Sequence, residues 1–154
     1  MTIFSDILKE SNRGFGFTRS EDWYRAQVRK YLKPPNDIEE GDVLFFTYSP
    51  KGQFVLPYWD KYPLVRVLER QGDGFFGINC HYVNPQIRAG LLKGTIPQAP
   101  PKCLHKYLYA HIRGSLRQVP VNEIDGVSIL PIEKFYKTVN KTIRPTKKEV
   151  IWNL

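Results

Sequence analysis

The stretch over residues 43–83 constrains the fold of this chain more than any other part of the sequence. It contains three apolar, aromatic-rich runs separated by two turn signals. The runs predict β-strands at residues 43–48, 62–70 and 75–82. Ser-Pro-Lys-Gly at residues 49–52 and Gln-Gly-Asp-Gly at residues 71–74 supply the turns. Short connections favour antiparallel pairing, so the stretch predicts a meander of the size found in small barrels or half-barrels.

The segment between the first two strands has two interpretations. Residues 54–61 contain Pro57 and predict an irregular aromatic segment rather than a central strand. The sequence Leu-Pro-Tyr-Trp-Asp-Lys-Tyr-Pro at residues 56–63 is either an exposed binding patch or a lid over one end of the β-unit. Its two prolines and bulky side chains favour a rigid, packed lid.

Helical patterns flank this β-unit on both sides. A helix is predicted over residues 19–33, because Thr18 and Glu21 have the spacing of a capping box and two prolines follow at 34 and 35. Further helices are predicted at residues 85–93, 102–117 and 131–139, with a fourth strand at residues 127–130. The predicted class is α+β, a small antiparallel β-meander or barrel-like unit flanked by helices. The predicted division is an N-terminal arm at 1–18, one α+β domain at 19–139 and a basic C-terminal tail at 140–154.

Positive charge is concentrated in the last third of the chain. The sequence has 23 lysines and arginines against 15 aspartates and glutamates, which gives a net charge of +8. Six of the eight excess charges lie in residues 101–154. Such a field favours an anionic partner, either nucleic acid or an acidic protein surface. No apolar run approaches the ~20 residues of a membrane span, and two cysteines indicate a reducing cytoplasm rather than a disulfide framework.

Two predicted helices carry basic stripes that could form the contact surface. One stripe recurs at every fourth residue within residues 19–33. The other lies opposite an apolar side in residues 102–117. The two stripes and three residues of the C-terminal tail make up the predicted contact residues: Arg25, Arg29, Lys33, Lys102, Lys106, Arg113, Arg117, Lys147, Lys148 and Trp152.

The cysteines and histidines do not form a recognisable metal site. Cys80 and His81 are adjacent in a predicted strand, so their side chains should point to opposite faces and cannot both bind one ion. We therefore predict a buried free cysteine and a surface histidine. Cys103 and His105 lack a third group to orient a thiol nucleophile and its base. His111 lies on the apolar side of its predicted helix and is interpreted as a core histidine.

A metal-dependent nuclease is a third hypothesis for a basic protein. Asp60 and Glu69 resemble a loose pattern in which two acids hold Mg²⁺, but Gln71 stands where a lysine usually follows the second acid. No complete catalytic constellation is present, so we predict no catalytic residue. The glycines at 72 and 74 lack the context of a phosphate-binding loop, and no cofactor is predicted.

Several strings resemble a family of small proteins of contractile-tailed bacteriophages. They are FTYSPK at 46–51, LPYWDKYPL at 56–64, GFFGINCHYV at 74–83, Arg88-Ala89, YLYAHIR at 107–113 and LPIEKF at 130–135. The resemblance covers residues 20–137 and implies no catalytic residue. Cys80 and Val83 depart from the apolar residues usual in that family.

The resemblance leaves two non-enzymatic functions open. The leading hypothesis is a virion structural or assembly subunit of the tail, baseplate or neck, which contacts other phage proteins through its basic helix faces and tail. The alternative is a phage protein of DNA metabolism or packaging that binds DNA or RNA through the same surfaces.

Overall fold

A computed structural model of the protein describes residues 2–11 and 19–154. The helices are α1 (Ile3–Ser11), α2 (Glu21–Tyr31), α3 (Pro85–Lys93), α4 (Ile124–Ile129) and α5 (Lys148–Trp152). The strands are β1 (Val43–Tyr48), β2 (Trp59–Asp60), β3 (Leu64–Gln71), β4 (Gly74–Asn79), β5 (Leu104–Leu108), β6 (Ile112–Val119), β7 (Phe135–Val139) and β8 (Thr142–Thr146). The predicted α+β class is confirmed. No helix among the described residues is long and apolar enough to cross a membrane.

A curled five-stranded antiparallel sheet forms the centre of the fold, in the order β5-β4-β3-β1-β6. Its edge strands β5 and β6 are consecutive in the chain, joined by the single 3₁₀ turn Tyr109–His111. In a flat sheet the two edges would be about 19 Å apart, whereas a 3₁₀ turn advances only about 2 Å per residue. The sheet must therefore curl until its edges approach at one end. β5 and β6 are not paired, so the predicted barrel-like unit is not a closed barrel.

The inside of the curl is filled by aromatic and aliphatic side chains. The buried members are Leu44, Phe46, Tyr48, Val65, Val67, Phe75 and Tyr107. The rings of Tyr48 on β1 and Tyr107 on the edge strand β5 are 5.0 Å apart. This contact crosses the curl, because β1 and β5 are not neighbours in the sheet. Alternate residues of β1 point inward, as the period of two in a strand requires.

The helices cover the outer side of the same strands. Val43, Phe45 and Leu64 pack there with apolar side chains of α1, α2 and α4. The carboxylate of Glu123 accepts hydrogen bonds from the backbone N–H groups of Ile3 (2.9 Å) and Phe4 (3.4 Å), which attaches the start of α1 to this layer. β1 is thus buried on both faces, which explains why its sequence is apolar almost throughout.

A second antiparallel sheet, in the order β2-β7-β8, packs beside the first. The buried Trp59 of β2 stacks on Tyr136 of β7 with ring centroids 4.9 Å apart. Phe54 and Val55, earlier in the same loop, are exposed. The predicted C-terminal tail lies in β8 and α5, and Ile151 of α5 is fully buried.

Three predictions from local patterns were wrong. Residues 102–117, predicted as a helix, form β5, the 3₁₀ turn and most of β6. The predicted strand at 127–130 lies mostly in α4, and the predicted helix at 131–139 contains β7. A short apolar run does not distinguish a buried helix from a strand. Long-range pairing decides these segments, since β5 pairs with β4 and β7 pairs with β2.

The two helices around the predicted β-unit are confirmed, with one change of cap. α3 has the predicted bounds, with Asn84 as its N-cap and Gly94 at φ 77° as its C-cap. At the start of α2 the cap is Ser20, whose hydroxyl accepts a hydrogen bond from the Trp23 N–H at 3.2 Å. Thr18, the proposed partner of Glu21 in a capping box, lies outside the described residues.

Candidate nucleic-acid interface

The structure brings four of the predicted cations together along β6. They are Arg29, Lys33, Arg113 and Arg117, which we call the basic edge. Lys33 lies just beyond α2 and its backbone bridges to Gln118 of β6, with Gln118 N–H donating to Lys33 O at 2.8 Å. Arg117 Nη1 donates to Leu32 O at 3.2 Å. The end of α2 and the edge strand therefore form one continuous surface.

A glycine bulge fixes the position of the arginines on this edge. Arg117 pairs with Phe45 and Arg113 with Thr47, so four residues of β6 lie opposite two of β1. Gly114, inside the bulge, has φ 73°, and a Cβ atom there would lie 2.8 Å from Arg29 Nη2. Glycine allows both this backbone conformation and this close approach. Because Phe45 and Thr47 share one face of β1, the bulge also keeps both arginines on the side that faces α2.

In the part of the chain that the structure describes, the basic edge has no carboxylate partner. Within residues 2–11 and 19–154, none of its four side chains forms an ion pair with an aspartate or glutamate. Lys33 and Arg113 are exposed, and Arg29 and Arg117 are half-buried. Arg29 donates to the carbonyl (3.3 Å) and hydroxyl (3.4 Å) of Ser115. The charges of these side chains thus remain available to an anion.

Arg25 belongs to the predicted stripe but not to this surface. Its side chain is buried, forms ion pairs with Glu21 and Asp22, and stacks over the ring of Tyr62 at 4.5 Å. Its guanidinium also donates to the backbone carbonyls of residues 132 (3.0 Å) and 133 (3.1 Å). Arg25 therefore joins α2 to the segment before β7.

The other predicted contact residues are scattered, and most have internal contacts. Lys102 Nζ donates to the carbonyls of Ile151 (3.2 Å) and Trp152 (2.8 Å), which caps the end of α5. Lys106 lies on the opposite edge strand, β5, and pairs with Asp73 at 2.9 Å. Lys148 pairs with the buried Glu133 at 3.0 Å. The supposed helical stripe from 102 to 117 is thus divided between the 3₁₀ turn Pro101–Cys103, β5 and β6.

The C-terminal aromatic residue is also part of the packing. The indole N–H of Trp152 donates to His81 O at 3.0 Å, and the guanidinium of Arg88 lies 5.4 Å from its ring centroid. Of the three predicted contact residues in the tail, Lys147 is exposed, whereas Lys148 and Trp152 are half-buried. Lys147 lies next to the β7–β8 hairpin, where Lys137 and Arg144 are direct cross-strand partners. Lys137, Arg144 and Lys147 make this hairpin a second, smaller cationic surface. Like charges in a cross-strand pair are unfavourable.

Asp60, one of the two acids of the nuclease hypothesis, lies in an environment that is unsuitable for binding Mg²⁺. The Asp60 carboxylate is buried and accepts hydrogen bonds from the Tyr62 and Lys134 N–H groups, both at 3.1 Å, and from Asn79 Nδ2 at 3.0 Å. It also bonds His81 Nδ1 at 2.7 Å. Glu69 is exposed on β3. Among the described residues, no group of histidines, cysteines and acids is arranged to hold a metal ion.

The histidines and cysteines differ in part from their predicted environments. His81 is fully buried in a 3₁₀ turn rather than on the surface, whereas Cys80 is a buried free cysteine as predicted. His111 lies in the 3₁₀ turn after β5, half-buried, with Nδ1 3.0 Å from Ser49 O. Burial raises the pKa of the Cys103 thiol to about 11. Since that thiol is protonated at neutral pH, it is a poor nucleophile.

Two buried carboxylates make the stability of the fold depend on pH. Burial would raise the pKa of Asp60, but the charge of His81 and the hydrogen bonds from His81, Asn79 and the Lys134 N–H together outweigh it, so the pKa lies below its ordinary value. Burial opposes ionisation of Glu133 likewise, but the charges of His81, Arg88 and Lys148 lower its pKa. A carboxylate with a depressed pKa stabilises the fold above the ordinary carboxyl pKa of about 4, and that stabilisation is lost as the pH falls through the folded value.

We therefore expect these two carboxylates to make the free energy of unfolding fall below about pH 5. Urea titrations from neutral to acidic pH measure it. Glu133→Gln should start less stable and show a shallower fall, because one of the two linked groups is missing. A wild-type stability that does not change in acid, or an unchanged slope in the variant, would contradict this assignment.

Fold and surface together define a small α+β protein with a cationic sheet edge and no internal counter-charge for it among the described residues. Residues 4–100, more than half of the chain, match the family described as "Phage T4 terminal DNA protecting protein". The chain belongs to this family of bacteriophage proteins. No curated protein and no solved structure matches it.

The match confirms the predicted phage origin at the level of the protein family. It supports the nucleic-acid-binding alternative better than the virion subunit, and placement in a tail, baseplate or neck gains no support. The matched region contains α1, α2, β1–β4 and α3, but not β6. Arg113 and Arg117 therefore lie outside it.

Proposed function

We propose that this protein binds the ends of linear phage DNA in the host cell and shields them, with the basic edge as its phosphate-binding surface. The observation that carries the proposal is the convergence of four cations without carboxylate partners among the described residues. The description of the family, which refers to terminal DNA, supports DNA as the anionic partner. The proposal is of binding and includes no chemical step.

The spacing of the arginines suits a nucleic-acid backbone. Since Arg113 and Arg117 lie opposite residues two apart on β1, their Cα atoms are separated by about 7 Å along the strand. Measured along the helix axis, that distance is close to two nucleotide steps, at about 3.4 Å per nucleotide of one DNA strand. Lys33 and Arg29 extend the row towards α2. Phosphate contacts of this kind give affinity and position without reading sequence.

Binding to two forms of one duplex tests the proposal. One form is linear with open ends, and the other is sealed at both ends by hairpin loops. We expect tighter binding to the open form. For four phosphate contacts, the logarithm of the association constant should fall with the logarithm of the salt concentration with a slope between about −3 and −4. Equal affinity for the two forms would contradict end binding. An affinity that does not depend on salt would contradict the basic edge as the binding surface.

A further inference from the structure

An aromatic pocket lies next to one end of the basic edge. It is a cleft of about 390 Å³ between residues 48–60 and the edge strand β5, within the usual range for ligand sites. Its walls include Tyr58, Trp59, Tyr82 and His105, with Lys51 and Lys106 at its rim. We call it the aromatic pocket. The predicted lid segment at 56–63 supplies one wall of this pocket.

The walls of the pocket are held in place by the surrounding structure. The ring of His105 lies 4.6 Å from that of Tyr82, which in turn meets Phe135 edge-on at 4.9 Å. His105 Nε2 is 2.8 Å from Lys102 O. Burial lowers the pKa of His105, which favours the neutral ring. Tyr58 and His105 are half-buried and keep part of their surface open, whereas Tyr82 and Trp59 are buried behind them.

The charge around the pocket favours a nucleotide as its occupant. Lys51 is exposed at the rim, whereas the charge of Lys106 is partly balanced by Asp73. Asp60, the acid in the pocket wall, is buried and already accepts four hydrogen bonds. A flat aromatic surface beside a cation is the arrangement in which single-stranded bases stack while a phosphate is held.

The pocket lies near the Arg113 end of the basic edge. Tyr48 lines the pocket and pairs across the sheet with Ile112, the residue before Arg113. Arg113 Nη1 donates to Ala110 O at 3.0 Å, two residues from the pocket residue Leu108. A strand of DNA that follows the basic edge beyond Arg113 would therefore reach the pocket. The basic edge alone cannot distinguish an end from the interior of a duplex, since the phosphates are the same in both. A base inside a duplex must also be flipped out to enter any pocket, whereas an unpaired terminal base is already free.

We infer that the aromatic pocket holds an unpaired nucleotide at the end of the DNA that lies along the basic edge. The base stacks against Tyr58 and His105, and the adjoining phosphate lies near Lys51. This inference rests on the proposed function and explains how a backbone-binding surface could select ends.

The test compares three DNAs: the sealed duplex, a blunt linear duplex, and the linear duplex with a short single-stranded extension. Wild-type protein should bind the extended DNA most tightly. Tyr58→Ala should weaken binding to the extended DNA about tenfold, the size of one lost stacking contact, and leave binding to the sealed DNA within about twofold. Tyr24→Ala is the matched control, because Tyr24 is another half-buried tyrosine, on α2 and outside the pocket. It should bind all three DNAs as wild type does.

A crosslink provides a measurement that needs no substitution. 5-Iodouracil placed at the unpaired terminus should, on irradiation of the wild-type complex, attach to Tyr58, Tyr82 or His105. Attachment elsewhere, or a folded Tyr58→Ala protein with wild-type preference for extended DNA, would overturn the inference while leaving the basic edge intact. Failure of the wild-type protein to bind any of the three DNAs would instead refute the proposed function itself.

Discussion

Replacing Glu133 with alanine is expected to lower the free energy of unfolding by about 3–5 kcal/mol. Its side chain is 1% exposed and pairs with Arg88 Nη1 at 3.1 Å, and the side chain of Arg88 is also 1% exposed. The second carboxylate oxygen pairs with Lys148 at 3.0 Å. The substitution leaves the Arg88 guanidinium buried without its counter-charge, and the cost of an unpaired buried charge exceeds the modest net value of the pair.

Urea unfolding at neutral pH measures this loss. Asp37→Ala is the control, because it breaks the exposed pair between Asp37 and Arg70, whose side chains are 74% and 49% exposed. It should cost less than about 1 kcal/mol. Replacing both buried partners, as Arg88→Met with Glu133→Leu, should recover part of the loss, since neither partner of this pair then leaves an unpaired buried charge. A loss for Glu133→Ala no larger than that of the control would refute the structural importance of the pair.

Leaving Arg88 unpaired is expected to affect stability strongly because this residue joins segments from both halves of the chain. Its Nε donates to Val83 O at 3.0 Å and its Nη1 to Ser128 O at 3.2 Å, so one side chain joins the end of the 3₁₀ turn Cys80–Tyr82 to α4. Glu133 lies outside the region that matches the family, whereas Arg88 lies inside it. The matched region therefore depends on the later residues for its buried counter-charge.

The sequence predicted those parts of the fold that are determined by residues close to one another in the chain, such as turn and capping residues. The strand bounds of β1 and both ends of α3 follow from neighbouring residues: turn residues after the strand, Asn84 before the helix and Gly94 after it. The segment from 102 to 117 was misassigned because a separation of four residues places Arg113 and Arg117 on one face of a helix or of a strand. The pairing of β6 with β1, far away in the sequence, decides between them.

The sequence predicted individual residues of the candidate site but not which of them lie together. Arg25 and Arg29 share a helical stripe, but a stripe does not show which of its members faces the sheet, and Arg25 is buried. Lys33 and Arg113 were assigned to separate helices, and only β1–β6 pairing and the bridge to Gln118 join them. Gly114 was a local signal for a break in the predicted helix. The buried Asp60–His81 pair has no local signal, because the two residues are 21 positions apart.

Reversing two exposed charges of the basic edge is expected to abolish most DNA binding. Lys33→Glu with Arg113→Glu should lower the affinity for linear duplex by about two orders of magnitude at ~0.1 M salt and reduce the salt slope by about two. The matched control is Arg144→Glu with Lys147→Glu, which changes the net charge equally at two exposed positions by the β7–β8 hairpin. Because it acts only through the long-range field, it should lower the affinity only a few-fold.

Protection of DNA ends from an exonuclease tests the central claim most directly. Wild-type protein and the Arg144→Glu, Lys147→Glu control should both slow the digestion of a linear duplex. The Lys33→Glu, Arg113→Glu protein, folded as shown by its urea transition, should leave the duplex as sensitive as naked DNA. Protection by this variant equal to that of the wild type, or no protection by the wild type, would contradict the proposal that the basic edge binds and shields DNA ends.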